Sequence, residues 1–420
     1  LSAVRGGHVP GEYGPMLGAL LQASHLATME DLPGLVARHA ASAGFTHAVL
    51  YVSDLQQEFL VPLPGQVDAA GAPLTSLRID TTMAGRAYRD VAIVPARHAA
   101  RAEADEPVAG DGRLWLWVPL LNGTERIGVL GMGAPEDDET RRWWAARLAD
   151  LVAMLVMVKR DHSDTYARLV RSRPMTLSAE VLWNLMPAGT FADERVVISA
   201  ALEPAYEVGG DAYDYAIERE TVHLSIFDAM GHDTAAGLIA SIAIGSYRNT
   251  RRGRVDLLAA SEAIDAAIGD QFGGSRYATG ILATLDTATG ELTWINRGHC
   301  PPLVLRQGKK VATLSAAPSP PMGFRMGLTT GLSTYQLEPG DRLLFYTDGI
   351  VEAEGPDGER FGLERFIDFI LRQERDGLSA PETVRRLIQS VLRHQHGILQ
   401  DDATVLLVEW RTQRQRELAL

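Results

Sequence analysis

Two acidic, glycine-bearing stretches stand close together in the chain: Glu207-Val-Gly-Gly-Asp-Ala-Tyr-Asp214 and Phe227-Asp-Ala-Met-Gly-His232. Asp211 and Asp228 would sit at the ends of neighbouring strands, because Thr221–Phe227 is apolar and β-prone. Gly209, Gly210 and Gly231 free the backbone beside them to turn. Two further acidic turns lie far downstream. Thr347-Asp-Gly349 follows the apolar run Arg342–Tyr346, and Asp401-Asp-Ala-Thr404 precedes Val405–Val408. Four carboxylates at strand edges, Asp211, Asp228, Asp348 and Asp401, make a hard oxygen-donor set suited to divalent metal. Taken singly each is an ordinary turn aspartate; taken together, with their glycines, they point to a metal site.

The elements that must position these residues begin near Val196, where strands separated by Gly and Asp turns set in. Paired strands are expected over 280–286 with 290–296 and over 303–306 with 311–314, and further strands over 331–337, 341–346 and 403–410. Paired helices are expected over 235–248 with 256–271 and over 363–373 with 381–393, the last with Pro381 in its first turn. Paired strands with paired helices imply stacked sheets covered by helices, a layered α+β fold.

The 420 residues suffice for two or three domains, and 46% hydrophobic with 22% charged residues fits a globular chain. A net charge of −13 argues against a nucleic-acid partner. The single cysteine excludes a disulfide framework and fits a reducing, cytoplasmic setting. No apolar run is long enough for a transmembrane helix. The chain starts at Leu1 rather than Met, so a trimmed or partial chain is expected, with the true start upstream.

Ahead of the acidic stretches, 1–13 reads as loose and helices are expected over 16–27 and 32–43. Strands follow over 46–52, 58–62, 91–94, 113–121 and 126–132, with a short helix over 81–89 and a polar loop over 100–112. Asn122-Gly123 should close the hairpin between the last two strands. Residues 137–171 read as one long helix with a stripe of Trp144, Leu148, Leu151, Leu155 and Val158. That stripe suits either a dimerisation and signalling rod or packing on its own domain. A second helix is expected over 178–186, ended by Pro187.

The order of these N-terminal elements, with Val118-Pro-Leu120 and Gly128-Val-Leu-Gly131 in the last hairpin, resembles a GAF domain; the alternative is another small α+β domain. Further along, Gly-Gly-Asp-x-x-Asp214, Asp228-x-Met-Gly-His232, Asn296-Arg-Gly-His-Cys-Pro-Pro302, Pro321-Met-Gly323, Thr347-Asp-Gly-Ile-Val-Glu-Ala353 and Asp401-Asp-Ala-Thr404 occur in one order. That ordered set resembles a SpoIIE/RsbU-type PPM phosphatase, over about Leu177 to Trp410, including the helix Leu182-Trp-Asn-Leu-Met-Pro187. The resemblances imply a GAF-like sensor domain at 14–135, a helical linker and possible dimerisation helix at 136–187, and an αββα phosphatase domain at 188–411.

The phosphatase resemblance also implies two Mn²⁺ or Mg²⁺ ions and hydrolysis of phosphoserine or phosphothreonine on proteins. Asp228 matches the carboxylate bridging both ions, and Asp211 and the Ala229 carbonyl match ligands of one. Asp348 and Asp401 match ligands of the other, while Asp214 and Asp402 would hold bound waters. A water acidified by the ion pair would attack phosphorus in line, with no covalent nucleophile. The implied substrate is a phosphorylated STAS-domain anti-anti-sigma protein, under control of the N-terminal domain. Asp233 departs from the family's Gly-His-Gly turn and would reshape it or add a carboxylate there.

Other chemistries fit less well. His299-Cys-Pro-Pro-Leu-Val-Leu-Arg306 formally matches a cysteine-phosphatase loop, yet Pro301 and Pro302 remove donors that such a loop needs. His232-Asp233 lacks the further histidines of an HD-type site. His299 alone is expected to be structural. A catalytically silent phosphatase fold that binds a partner remains the other class of function.

Overall fold

The computed structural model describes residues 14–68, 71–97, 114–204, 206–207, 209–317, 319–326, 331–397 and 399–411. The stretches expected to be loose, 1–13 and 100–112, lie outside the described residues. The chain divides into two compact units, Leu1–Ser172 and Arg173–Leu420.

The first unit is built on one antiparallel sheet. Its strands are β1 (Thr46–Ser53), β2 (Phe59–Pro62), β3 (Leu77–Arg78), β4 (Val94–Arg97), β5 (Leu114–Asn122) and β6 (Glu125–Ala134), in the order β3-β2-β1-β6-β5-β4. Helices α1 (Gly14–Ser24), α2 (Leu32–Ser42) and α4 (Glu139–Arg160) bury one core with Leu50, Leu116 and Leu130 on one face. On the opposite face α3 (Met83–Asp90) packs Ala84, Ala87 and Tyr88 against Tyr51, Trp115 and Trp117. The β5–β6 hairpin turns at Asn122-Gly123 as expected, with Asn122 opposite Glu125 and Gly123 at φ +61°.

Two expectations need correction. The strand placed over 91–94 starts at Val94, because Val91 is the left-handed C-cap of α3, at φ 51°. The single helix over 137–171 is two helices. α4 stops at Arg160, and α5 (Asp164–Leu169) starts afresh where the Ser163 hydroxyl accepts from the Tyr166 N–H at 3.1 Å. Of the apolar stripe, Trp144, Leu148 and Leu155 are buried in this unit's own core, while Val158 is 71% exposed. Trp143 and Met154 are likewise exposed on α4.

The second unit stacks two antiparallel sheets. One contains β9 (Asp211–Glu218), β10 (Thr221–Ala229), β11 (Ala278–Asp286), β12 (Glu291–Arg297) and β15 (Ser333–Gln336), in the order β15-β12-β11-β10-β9. The other contains β7 (Thr190–Ala192), β8 (Val196–Glu203), β13 (Leu303–Arg306), β14 (Lys309–Thr313), β16 (Arg342–Tyr346) and β17 (Ala403–Trp410), in the order β14-β13-β16-β17-β8-β7. Alternation along β16 shows the layering. Leu343 and Phe345 join the inter-sheet core, whereas Leu344 and Tyr346 face a second core under α10 (Leu363–Arg375) and α11 (Ala380–His394). The first sheet is covered by α7 (Thr234–Arg252) and α8 (Leu257–Phe272), with α6 (Leu177–Leu185) packed on α7. The result is the helix–sheet–sheet–helix arrangement implied by the resemblance. The unit starts within the stretch expected to be linker, since α6 buries Ala179 and Leu182 in this unit's own core.

Candidate metal centre

Both sheets deliver carboxylates to one end of the sandwich. Asp211 opens β9 and lies directly across the ladder from Asp228, near the end of β10. From the second sheet, Asp348 begins the one-turn helix α9 (Asp348–Val351) two residues after β16, and Asp401 and Asp402 precede β17. Asp228 therefore extends the expected strand 221–227 by two residues, to Ala229.

The approach of these loops depends on absent side chains. A Cβ on Gly349 would stand 1.9 Å from the Asp402 carbonyl oxygen, and one on Gly210 would stand 2.5 Å from the Ala229 carbonyl oxygen. No side chain fits at either distance, so these glycines permit the acidic loops to close on one another.

Hydrogen bonds then fix the carboxylates. Asp211 is buried, and one of its oxygens accepts from the hydroxyls of Thr347 and Thr404, both at 2.7 Å. Thr347 also accepts from the Thr404 N–H at 2.9 Å, so the ends of β16 and β17 hold Asp211 jointly. Asp402 is buried and accepts from the N–H groups of Gly209, Gly210 and Asp211 at 2.7–3.0 Å.

The electrostatics are those of an anion cluster without a counter-charge. Burial, then the charges of Asp348, Asp401 and Asp402, push the Asp228 carboxyl up to about 7. Burial, then Asp228 and Asp402, hold Asp211 well above the usual carboxylate range. Asp348 is raised by burial, Asp401 and Glu352, and Asp402 by burial against the lowering effect of its three N–H donors. The carboxylates of Asp228, Asp348, Asp401 and Asp402 thus act on one another or on Asp211 as neighbouring charges. Among the described residues, no group of three or more His, Cys, Asp or Glu side chains is already arranged to hold a metal ion. The donor set nevertheless fits hard divalent cations: it is all oxygen, anionic and self-repelling until a cation neutralises it.

Other residues singled out in the sequence do different work. Asp214, expected to hold water near the metals, is taken up by α7: Arg248 donates at 2.6 and 3.1 Å and Arg251 at 3.0 Å. Asp402 anchors the Gly209-Gly210 turn through its carboxylate. Asp233 adds no carboxylate to the cluster; it caps α7 through the Ala236 N–H at 2.9 Å and pairs with Arg276 at 2.9 Å. His232 is exposed. Cys300 is no nucleophile: burial, then Asp348 and Asp228, push its thiol up to about 11, where a phosphatase cysteine needs the opposite shift. The cysteine-phosphatase arginine, Arg306, lies in strand β13 and binds Asp341 at 2.6 and 2.7 Å.

The second unit is similar to known proteins. Residues 218–411 match the family described as Stage II sporulation protein E (SpoIIE). The match takes in Asp228, Asp348 and Asp401 and starts seven residues after Asp211. Among curated relatives, the chain is 26% identical over 263 residues to Protein IcfG of Synechocystis sp., covering 54% of this chain and 40% of that protein. It is 22% identical over 234 residues to the phosphoserine phosphatase RsbU of Bacillus subtilis, covering 55% of this chain and 68% of RsbU. The chain thus spans less than half of the first of these relatives. Among solved structures, the SiaA-PP2C domain of Pseudomonas aeruginosa aligns over 56% of this chain and 94% of its own, at 20% identity and a TM-score of 0.48.

Proposed function

We propose that the second unit is a metal-dependent protein serine/threonine phosphatase. The observation that carries this reading is the convergence of Asp211, Asp228, Asp348 and Asp401, from two sheets, into one self-repelling oxygen cluster, the last three of them inside the region matching SpoIIE. Asp228, Asp211, Asp348, Asp401 and the Ala229 carbonyl would hold two Mn²⁺ or Mg²⁺ ions. When bound, such a pair supplies the charge that acidifies water and neutralises phosphoryl oxygens.

The chain's own residues do the positioning. Thr347 and Thr404 occupy one oxygen of Asp211 and leave the other for a cation. Asp402 holds the Gly209–Asp211 backbone in its turn. Gly349 and Gly210 bring the two loops within reach. Rate enhancement then comes from charge and orientation, with no group of the protein becoming covalently attached to phosphate.

The relative RsbU is named a phosphoserine phosphatase, which supports a phosphoprotein as substrate. A phosphorylated STAS-domain anti-anti-sigma protein is the substrate that this reading favours, with the GAF-like first unit as regulator and α4 as a possible homodimer contact through Trp143, Met154 and Val158. No helix among the described residues is long and apolar enough to cross a membrane. The test is release of phosphate from phosphorylated STAS proteins with and without Mn²⁺. Mn²⁺-dependent turnover supports the reading, whereas binding of such partners without turnover would identify a silent phosphatase fold.

A further inference from the structure

Among the described residues of the second unit, His299 is the one histidine that is both buried and placed between the two carboxylate-bearing sheets. It is 8% exposed and belongs to the β12–β13 connection, whose path is fixed by a reciprocal pair of hydrogen bonds. Asn296 Nδ2 donates to the His299 carbonyl at 2.9 Å, and the His299 N–H donates to Asn296 Oδ1 at 2.8 Å. The ring then spans the sandwich. Nε2 lies 3.1 Å from the Tyr346 carbonyl, and Nδ1 lies 2.9 Å from Thr279 Oγ1.

Each end of that span leads directly to the carboxylate cluster. Tyr346 is the last residue of β16; the next, Thr347, binds Asp211, and the one after is Asp348. Thr279 on β11 lies directly across the ladder from Asp228 on β10. A carbonyl only accepts, so Nε2 must carry the proton and Nδ1 must accept from the Thr279 hydroxyl. The ring is thus a neutral strut of fixed tautomer, and burial keeps it so, lowering its pKa to about 4.

We propose that His299 is a positioning residue for the metal centre: by joining β16 to β11 it sets the separation between Asp348 and Asp228 on opposite sheets. It touches neither carboxylate and would act only through the strand ends it joins. The inference rests on the reading of the cluster as a metal site, and its test separates the two.

The full chain is titrated calorimetrically with MnCl₂, as parent, His299→Ala, His299→Gln and Thr279→Val, with folding checked by circular dichroism. His299→Ala should weaken Mn²⁺ about tenfold, as losing an outer support of a metal site does. His299→Gln, whose amide can still donate to the Tyr346 carbonyl, should recover most of that loss. Thr279→Val, nearly isosteric, removes one hydroxyl donor and should weaken Mn²⁺ by about threefold to fivefold even if His299→Ala fails to fold. Equal Mn²⁺ affinity in parent, His299→Ala and Thr279→Val would overturn the inference and leave the metal-site reading standing. A parent chain that binds no Mn²⁺ would overturn both. Histidine ring ¹⁵N spectra of the metal-free parent give an independent readout: the Nε2–H tautomer is expected, and the Nδ1–H tautomer or an imidazolium at neutral pH would refute the strut.

Discussion

Replacing Asp402 with alanine strikes the loop architecture rather than a metal-binding oxygen. Its carboxylate serves three backbone donors, at Gly209, Gly210 and Asp211, all in a buried turn. A hydrogen bond to a charged group contributes about 1.5–3 kcal/mol, and a buried donor left alone costs a similar amount. Three such losses come to roughly 5 kcal/mol. Against this, Asp402→Ala removes an anion from beside Asp211, Asp228 and Asp401, and each of these that is ionised returns about 1–2 kcal/mol at a separation of about 10 Å and an effective dielectric of about 20. With one neighbour ionised the bonds win, and the metal-free variant should then be about 3 kcal/mol less stable. Asp402→Asn keeps the one oxygen that accepts from all three donors and also sheds the charge, so its net change should stay within about 1 kcal/mol. Urea denaturation of the full chain in EDTA, followed by tryptophan fluorescence, measures both. If Asp402→Ala unfolds with the parent, or if Asp402→Asn is as damaging as Asp402→Ala, the anchoring role is wrong.

Gly349→Ala should lower the melting temperature by about 5 °C or more, because its Cβ would stand 1.9 Å from the Asp402 carbonyl oxygen and force the loops apart; differential scanning fluorimetry reads this, and an unchanged melt would contradict the close approach. Cys300→Ser should leave phosphatase kcat unchanged, since the thiol is pushed up to about 11 and has no role in the chemistry; loss of turnover would reinstate it. In the first unit, burial raises Asp54 from 3.8 to about 6, so the folded state favours its protonated form. Its contribution to stability is fully present below about pH 4, declines as pH rises to about 6 and is flat beyond, a span of roughly 3 kcal/mol. Asp54→Asn should therefore outlast the parent in urea at pH 7.5 by up to that amount and converge with it near pH 4; parallel stability curves would refute this.

The pattern of strand pairs was legible in the sequence because the central strands of the second unit, such as β8, β10, β16 and β17, run largely buried between apolar layers, whereas the edge strand β14 is mostly exposed. Residues 403–410 and 303–306 are strands with the expected bounds. The four aspartates proposed to bind metal were legible because each sits beside a glycine or at the edge of an apolar run. What local pattern could not carry is tertiary. Asp214 lies three residues from Asp211, yet Arg248 and Arg251 on a helix more than thirty residues away claim it. Asp402 looked like a neighbour of the metals, but its partners are backbone N–H groups about 190 residues upstream. Thr347 and Thr404 were visible only as parts of motifs; that both reach one oxygen of Asp211 depends on how β16 and β17 pair. The break between α4 and α5 had a signal in Ser163, a good N-cap inside an apparently continuous helical run.

The measurement that bears most directly on this account is the stoichiometry of Mn²⁺ binding to the full chain, parent against Asp228→Asn, by isothermal titration calorimetry after EDTA treatment. The account predicts two ions per chain for the parent and severe loss for Asp228→Asn, because Asp228 is the carboxylate that both ions would share. A parent that takes up no Mn²⁺, or an Asp228→Asn chain that binds as the parent does, would contradict it.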